Sequence, residues 1–205
     1  MRKDILICGV GGQGTVLASK ILAASAMAEG QTVHSAETIG MAQRGGSVTS
    51  HVRIGEEAFS PMIPLGSADL LMAFEPAEAV RNLKYLRSSG IVIVNTDAVK
   101  PVTESLRPSG YEAQSMVDYL REKCGDACFF VSMEETAHEF GSSKFFNVLM
   151  LGVAAGSGAL GLAPETLREE IARRVPEKFR EINLQAFDAG CRQGTPAEGN
   201  TLSKR

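Results

Sequence analysis

The sequence predicts an α/β fold, a mostly parallel sheet flanked by helices, with an edge or antiparallel hairpin and a helical C-terminal part. Three observations carry that expectation. An apolar run, Asp4-Ile5-Leu6-Ile7-Cys8, meets a glycine-packed turn, Gly9-Val10-Gly11-Gly12-Gln13-Gly14, and a helical pattern follows at once. Near-continuous apolar runs at 69–74, 91–95 and 128–132 suit strands buried on both faces. From Phe145 onward, apolar positions recur with helical spacing.

The first turn has a mechanical use. Gly9, Gly11 and Gly14 let the backbone turn tightly and let a ligand or a neighbouring backbone come close. The first N–H groups of the next helix lack internal partners and point at the turn, where their partial positive charge favours a phosphate or carboxylate. The spacing G-x-G-x-x-G, after a strand and before a helix, matches the Rossmann-like dinucleotide turn. Glu37, 23 residues beyond Gly14, falls near the place of a ribose-binding acid. A nicotinamide or flavin site is therefore one reading. A tight turn without a ligand, and a turn that serves another partner, are the others.

A helix over 16–28 follows, with Leu17, Ile21 and Ala24 on one face and Glu29-Gly30 as its stop. A short strand over 32–36 completes a strand-helix-strand unit, which implies a right-handed crossover and parallel pairing. Residues 37–46 form a loop carrying Gln43-Arg44-Gly45-Gly46. Strict alternation over 47–54 then puts Val48, Ser50, Val52 and Ile54 on one face, and Ser47, Thr49, His51 and Arg53 on the other. Such a half-polar strand belongs at an edge or in an antiparallel pair. Gly55-Glu56-Glu57 reads as its hairpin turn, returning through Ala58-Phe59. His51 and Arg53 would then share one surface, either solvated or in contact with a partner or anion.

Pro76 starts a helix at a position that tolerates its missing N–H, with Val80, Leu83 and Leu86 inward and Ser88-Ser89-Gly90 as its end. Residues 96–114 are ambiguous because Pro101 and Pro108 interrupt any long element. A short helix is expected over 115–124. Asn147 and Asn183 sit inside apolar helical patterns and must find partners, by tying a helix to a loop or by lining a cleft. Pro164 and Pro176 open the last two helices and Gly190 closes the second. One domain over 1–190 and a flexible tail over 191–205 are expected.

Composition narrows the function. A hydrophobic content of 44% with 22% charge is that of a soluble globular protein, here expected in the cytoplasm. A net charge of −3 argues against a nucleic-acid surface. The four cysteines, Cys8, Cys124, Cys128 and Cys191, form no C-x-x-C pair, so no metal or cluster is expected on this chain alone and reduced thiols are the reading. No Ser–His–Asp or Cys–His set can be assembled from spacing, and no catalytic residue is assigned. Arg2-Lys3-Asp4 leads straight into a strand-like run, unlike a signal peptide. The 19 uncharged residues 145–163 reach membrane-spanning length. Asn147, Ser157 and glycines at 152, 156, 158 and 161 suggest instead a buried helix that stops near Gly156 or Gly158, with no membrane contact.

The pairing of Gly9-Val10-Gly11-Gly12-Gln13-Gly14 with Gln43-Arg44-Gly45-Gly46-Ser47 resembles the gamma-type subunits of 2-oxoacid:ferredoxin oxidoreductases, and most of all the small (beta) subunits of indolepyruvate oxidoreductases. Ser50-His51-Val52-Arg53-Ile54, the Asp69-Leu70-Leu71 strand, Asn147 and Glu181-Ile182-Asn183 extend the resemblance over about residues 1–190. It implies one subunit of an enzyme that oxidatively decarboxylates an aryl 2-oxoacid such as indolepyruvate. Thiamine diphosphate and iron–sulfur clusters would lie on a large partner subunit, ferredoxin would take the electrons, and coenzyme A would accept the acyl group. Gly125-Asp126-Ala127 lacks the thiamine-type Gly-Asp-Gly, in keeping with that division of labour. The resemblance makes Gly9, Gly11, Gly12, Gln13, Gly14, Gln43, Arg44, Gly45, Gly46, Ser47 and Asn147 the candidate cofactor-binding residues, lining a cleft closed over the partner's active site. In isolation the chain could form a homodimer.

Overall fold

The computed structural model describes residues 2–39, 46–56, 59–99 and 110–195. Along the chain run β1 (Lys3–Val10), α1 (Thr15–Ala28), β2 (Val33–Ile39), β3 (Ser47–Ile54), β4 (Ala68–Ala73), α2 (Pro76–Asn82), β5 (Leu86–Asn95), α3 (Ala113–Cys124), β6 (Cys128–Val131), α4 (Met133–Phe140), α5 (Phe146–Gly156), α6 (Pro164–Arg174) and α7 (Arg180–Gly194). The six strands form one sheet in the order β2-β3-β1-β4-β5-β6. β1, β4, β5 and β6 pair in parallel, whereas β3 pairs antiparallel with both β1 and β2.

The position of β3 corrects the simple crossover. β2 runs in the same direction as β1, but β3 lies hydrogen-bonded between them. The half-polar strand is thus in an antiparallel pair, as expected, and not at an edge. The edge on this side is β2, whose polar sequence Val-His-Ser-Ala-Glu-Thr-Ile suits an unpaired side; β6 is the opposite edge. The antiparallel partners of β3 are the two strands before it, β1 and β2, and not a returning strand after it: Phe59 lies in a loop, and residues 57 and 58 lie outside the described residues.

Alternation along the strands separates two cores. Ile5, Ile7, Leu70, Met72 and Ile93 face α1, α5, α6 and α7; Leu6, Cys8, Leu71, Ala73, Val92 and Val94 face α2 and α3. α1 buries Ala18, Ile21, Leu22 and Ala26, while Leu17, expected on that face, is partly exposed. α2 starts at Pro76 as expected. Its inward side is Glu78, Ala79 and Asn82, with Val80, Leu83 and Leu86 only half-buried, and Ser88-Ser89-Gly90 lies within β5.

α5 and α7 touch backbone to backbone. A Cβ on Gly152 would lie 2.2 Å from the carbonyl oxygen of Phe187, and one on Gly190 would lie 2.1 Å from that of Leu149. Gly156 meets the carbonyl of Cys191 and Gly194 that of Val153 in the same way. Gly190 is therefore inside α7, which continues to Gly194 instead of ending there. Residues 191–194, placed in a tail by their composition, are its last turn. Residues 196–205 lie outside the described residues. α5 does stop at Gly156, and among the described residues no helix is long and apolar enough to cross a membrane.

The polar face of β3 is covered, not solvated. Arg53 donates from Nε to Asp4 Oδ1 at 2.7 Å, and its Nη1 donates to the carbonyls of Ser60 and Met62. His51 Nδ1 accepts from the Ile63 N–H at 3.2 Å, with the Tyr85 ring edge-on at 5.7 Å. Both side chains are buried.

Two outcomes follow from this packing. Alanine is the better helix former by about 1 kcal/mol, yet Gly190→Ala forces α5 and α7 apart, so urea unfolding should show a net loss of about 1–3 kcal/mol. Burial first, and Arg53 second, holds the His51 pKa below its ordinary value. The neutral ring is the acceptor for Ile63, so this contribution is complete above the unfolded pKa of about 6.5 and is lost as pH falls through the lower folded pKa. The urea midpoint should drop across that window, and His51→Asn, which keeps an acceptor without titrating, should flatten the drop.

Candidate functional site

The carboxyl ends of β1 and β4 meet where the chain order reverses: α1 carries the chain toward β2, and α2 carries it toward β5. Open α/β sheets place ligands beyond such a point. The glycine turn lies there. Gly14, at φ +84°, is the N-cap of α1; among the described residues no side chain caps the helix, and no acid occupies its first turn. The N–H groups of the helix start thus retain their anion-attracting character.

Gln13 fills the inside of the crevice. Its Oε1 accepts from the Val10 N–H at 2.7 Å, and its Nε2 donates to the Phe74 carbonyl at 2.7 Å, tying β1 to the end of β4. Gly9 is small for this reason, since a Cβ there would lie 2.7 Å from Gln13 Oε1 and 2.9 Å from Phe74 Cβ. Gly14 makes room for Asn147, whose Nδ2 would be 2.6 Å from an added Cβ. Asn147 is buried at the start of α5, and its Oδ1 accepts from the Val148 N–H. Its side chain packs against the turn at Gly14. Asn183 instead donates to the Phe179 carbonyl one helical turn back.

Gly12, at φ +103°, has nothing among the described residues within 4 Å of its Cβ position and is exposed. The inner wall of the turn is closed by the protein's own side chains and its tip is open. A pyrophosphate lying in the crevice would have to displace Gln13, so the inner wall does not fit a dinucleotide. Glu37, the candidate ribose-binding acid, accepts from Ser19 on α1.

The second glycine motif is joined to the first. The Gly11 N–H donates to the Gly46 carbonyl at 2.8 Å, and Ser47 pairs with Val10 across the β1–β3 ladder. Ser47 Oγ donates to Glu78 Oε2 at 2.7 Å. Gln43, Arg44 and Gly45 lie outside the described residues.

Sequence reasoning missed a polar ledge beside the turn. Glu75 and Glu78 are both buried. Glu75 Oε2 caps α2 by accepting from the Glu78 N–H, and its Oε1 accepts from the Tyr111 hydroxyl at 2.6 Å. Glu78 is ion-paired with Arg81. Burial, followed by the Glu75 hydrogen bond and charge, pushes the Tyr111 hydroxyl well above its ordinary pKa, so it stays a donor. Burial, and then Glu78 and Glu75, likewise raises the Cys8 thiol. Further along, Asn95 Nδ2 joins Gln13 on the Phe74 carbonyl, and Asp97 accepts from Ser132 Oγ and the Glu134 N–H. Polar residues directly after apolar strands, as in Phe74-Glu75-Pro76 and Asn95-Thr96-Asp97, were the available signal.

The thiols are poor nucleophiles here. Burial and the adjacent Cys124 push Cys128 up to about 12, and burial followed by Asp188 pushes Cys191 up to about 11. Among the described residues, no three His, Cys, Asp or Glu side chains gather to hold a metal.

The clip has a measurable worth. Gln13→Leu strands the Val10 N–H and removes one donor from Phe74. It should cost about 1–3 kcal/mol, read as a lower urea midpoint with an unchanged m-value.

Residues 4–193 match the family model described as pyruvate ferredoxin/flavodoxin oxidoreductase. The chain is 39% identical to indolepyruvate oxidoreductase subunit IorB of Archaeoglobus fulgidus, covering 94% of this chain and 96% of that one. It is 30% identical to ketoisovalerate oxidoreductase subunit VorA of Methanothermobacter marburgensis, over 91% of this chain but only 35% of VorA. Among solved structures, the keto/oxoacid ferredoxin oxidoreductase gamma subunit of Geobacter sulfurreducens superimposes with a TM-score of 0.67 at 21% identity, covering 94% of this chain and 98% of that one. The nicotinamide or flavin reading finds no support among these proteins. With the mostly parallel sheet, the two joined glycine motifs and this match over nearly its whole length, the chain belongs to the pyruvate ferredoxin/flavodoxin oxidoreductase family, among its small gamma-type subunits.

Proposed function

We propose that this chain completes the coenzyme A or active-site cleft of a large subunit during oxidative decarboxylation of an aryl 2-oxoacid such as indolepyruvate. The carrying observation is the open tip at Gly12 in front of the uncapped α1 N-terminus, on a turn whose inner wall is already closed. In this reading thiamine diphosphate and iron–sulfur clusters are held by the large subunit, ferredoxin receives the electrons, and coenzyme A supplies the thiol that accepts the acyl group. The similarity to IorB supports the substrate class.

The residues have distinct tasks. The N–H groups around Gly12 and Gly14 attract a phosphate or carboxylate by the helix-terminus effect. Gln13 and Asn147 hold the turn's shape from within, while Gly9, Gly11, Gly46 and Ser47 bring the two glycine loops together. In this reading Gln43, Arg44 and Gly45, outside the described residues, are assigned to the same cleft, where the Arg44 fork would meet a carboxylate or phosphate. The working unit runs through the end of α7 at Gly194 with a tail beyond it, and the assembled enzyme is assigned to the cytoplasm.

Co-expressed with its large subunit, the chain should support indolepyruvate-dependent ferredoxin reduction. Gly12→Asp and Gly12→Asn impose comparable backbone demands and differ in charge. The Asp variant should raise the KM for coenzyme A at least tenfold over the Asn variant, and Arg44→Ala should act in the same direction. Wild-type kinetics in both Gly12→Asp and Arg44→Ala would end this reading.

A further inference from the structure

One donor beside the glycine turn is left over once the turn's own hydrogen bonds are made. Asn147, in the first turn of α5, is 6% exposed, and its Nδ2 is the atom nearest a Cβ built on Gly14, at 2.6 Å. Its Oδ1 accepts from the Val148 N–H at 2.9 Å, which fixes the end of the amide that carries the hydrogens. Nδ2 has no acceptor among the described residues, yet it is not sealed: Ser50 Oγ is the one side-chain polar atom there that is both sealed and unpartnered. Buried amides as a rule spend their donors inside the protein. This one keeps its donor at the mouth of the turn.

The same point collects donors from α1. The N–H groups of Gly14, Thr15 and Val16 have no partner among the described residues, and a helix of 14 residues stands behind them. The acid held against α1, Glu37, bonds Ser19, a full turn further along. Glu75 and Glu78 are engaged on the α2 side. The donors are also fixed in advance. Phe146 lies edge-on to Phe74 with the rings 5.9 Å apart, and the glycine contact with α7 holds the rest of α5. Groups already in place lose little freedom when a ligand arrives. Gln13 fills the β4 side of the turn, so the donors left over serve one charged group and not a pair.

We infer that Asn147 Nδ2 and the first N–H groups of α1 form a seat for a single oxyanion, in which Asn147 is a direct donor to the ligand as well as a support of the turn. The seat is built from this chain alone. For the identity of its natural ligand the inference rests on the cleft reading above, where a phosphate of coenzyme A and the carboxylate of the 2-oxoacid present the same chemistry. The amide gives the seat a selectivity that a helix terminus lacks. A helix dipole attracts any anion, chloride included. Several N–H donors converging on one place favour an ion that carries several acceptor oxygens.

The test uses the full chain first and the assembled enzyme second. In amide-resolved NMR, inorganic phosphate should shift the N–H signals of Gly14, Thr15 and Val16 and the side-chain NH2 of Asn147, saturably, whereas chloride at the same concentration should not. Asn147→Asp keeps the acceptor for Val148 and replaces the donor with a negative oxygen. It should weaken phosphate binding at least tenfold without lowering the urea midpoint, a combination that a purely structural role for Asn147 would not give. In the assembled enzyme the same variant should raise one KM at least tenfold with kcat near wild type: that of coenzyme A if a phosphate is seated, that of indolepyruvate if a carboxylate is. Wild-type phosphate binding in Asn147→Asp, an equal response to chloride, or no shift at these groups in the wild-type chain would each overturn the seat. The cleft reading fails separately: phosphate binding lost in Asn147→Asp, together with wild-type kinetics in Gly12→Asp and Arg44→Ala, would keep the seat and end the cleft.

Discussion

The backbone contact between α5 and α7 is the constraint on which the site depends. Gly152 and Gly156 on one helix meet Gly190 and Gly194 on the other, each occupying space that a methyl group would contest with a main-chain carbonyl. Such close approach brings Cα–H groups against carbonyl oxygens and many weakly attracting atoms into contact. It also fixes where α5 begins. At that beginning Asn147 lies against Gly14, so a packing event on one face of the sheet sets the inner wall of the turn at its carboxyl end.

Charge is buried at both ends of the sheet and is tied down differently at each. At the amino end Asp4 and Arg53 form a pair of the kind whose disruption costs about 3–5 kcal/mol, because the surviving charge remains buried. Asp4 also receives Arg2, and its N–H donates to Asp69, so the pair is part of a network. At the carboxyl end, Glu75 and Glu78 satisfy a helix start, a tyrosine, a serine and an arginine. Full satisfaction makes these groups rigid supports. Gln13 belongs with them, an amide whose two functions are both used on backbone groups.

Periodicity made the fold class legible. The strands at 4–8, 69–74 and 91–95 were visible because strands covered on both faces must be continuously apolar, and 128–132 reads the same way although β6 is a half-buried edge. α1, α2 and α6 were visible through Gly30, Pro76 and Pro164, which act locally on one turn of chain. The β3 assignment was half right. Alternation reports that two faces differ, but it cannot say whether the polar face meets water or a loop that returns over it. The difference was made by Ile63, Ser60 and Met62, residues about ten positions further on. Glycine misled in α7 for a related reason. Gly190 has no local signature that separates a helix stop from a helix contact; only the partner helix does.

Taken by itself, the sequence determined the alternating strands and helices, the glycine turn at the end of β1 and the family to which the pattern of two glycine motifs belongs, because these follow from short-range spacing and backbone preference. Only the tertiary structure decided that β3 inserts between β1 and β2, that Gln13 seals the inner side of the turn while Gly12 stays open, and that Glu75 and Glu78 stand beside it. Each of these depends on residues distant in the chain competing for the same space and the same hydrogen-bond partners. That competition has no local trace, and it is settled when the sheet and its helices close together.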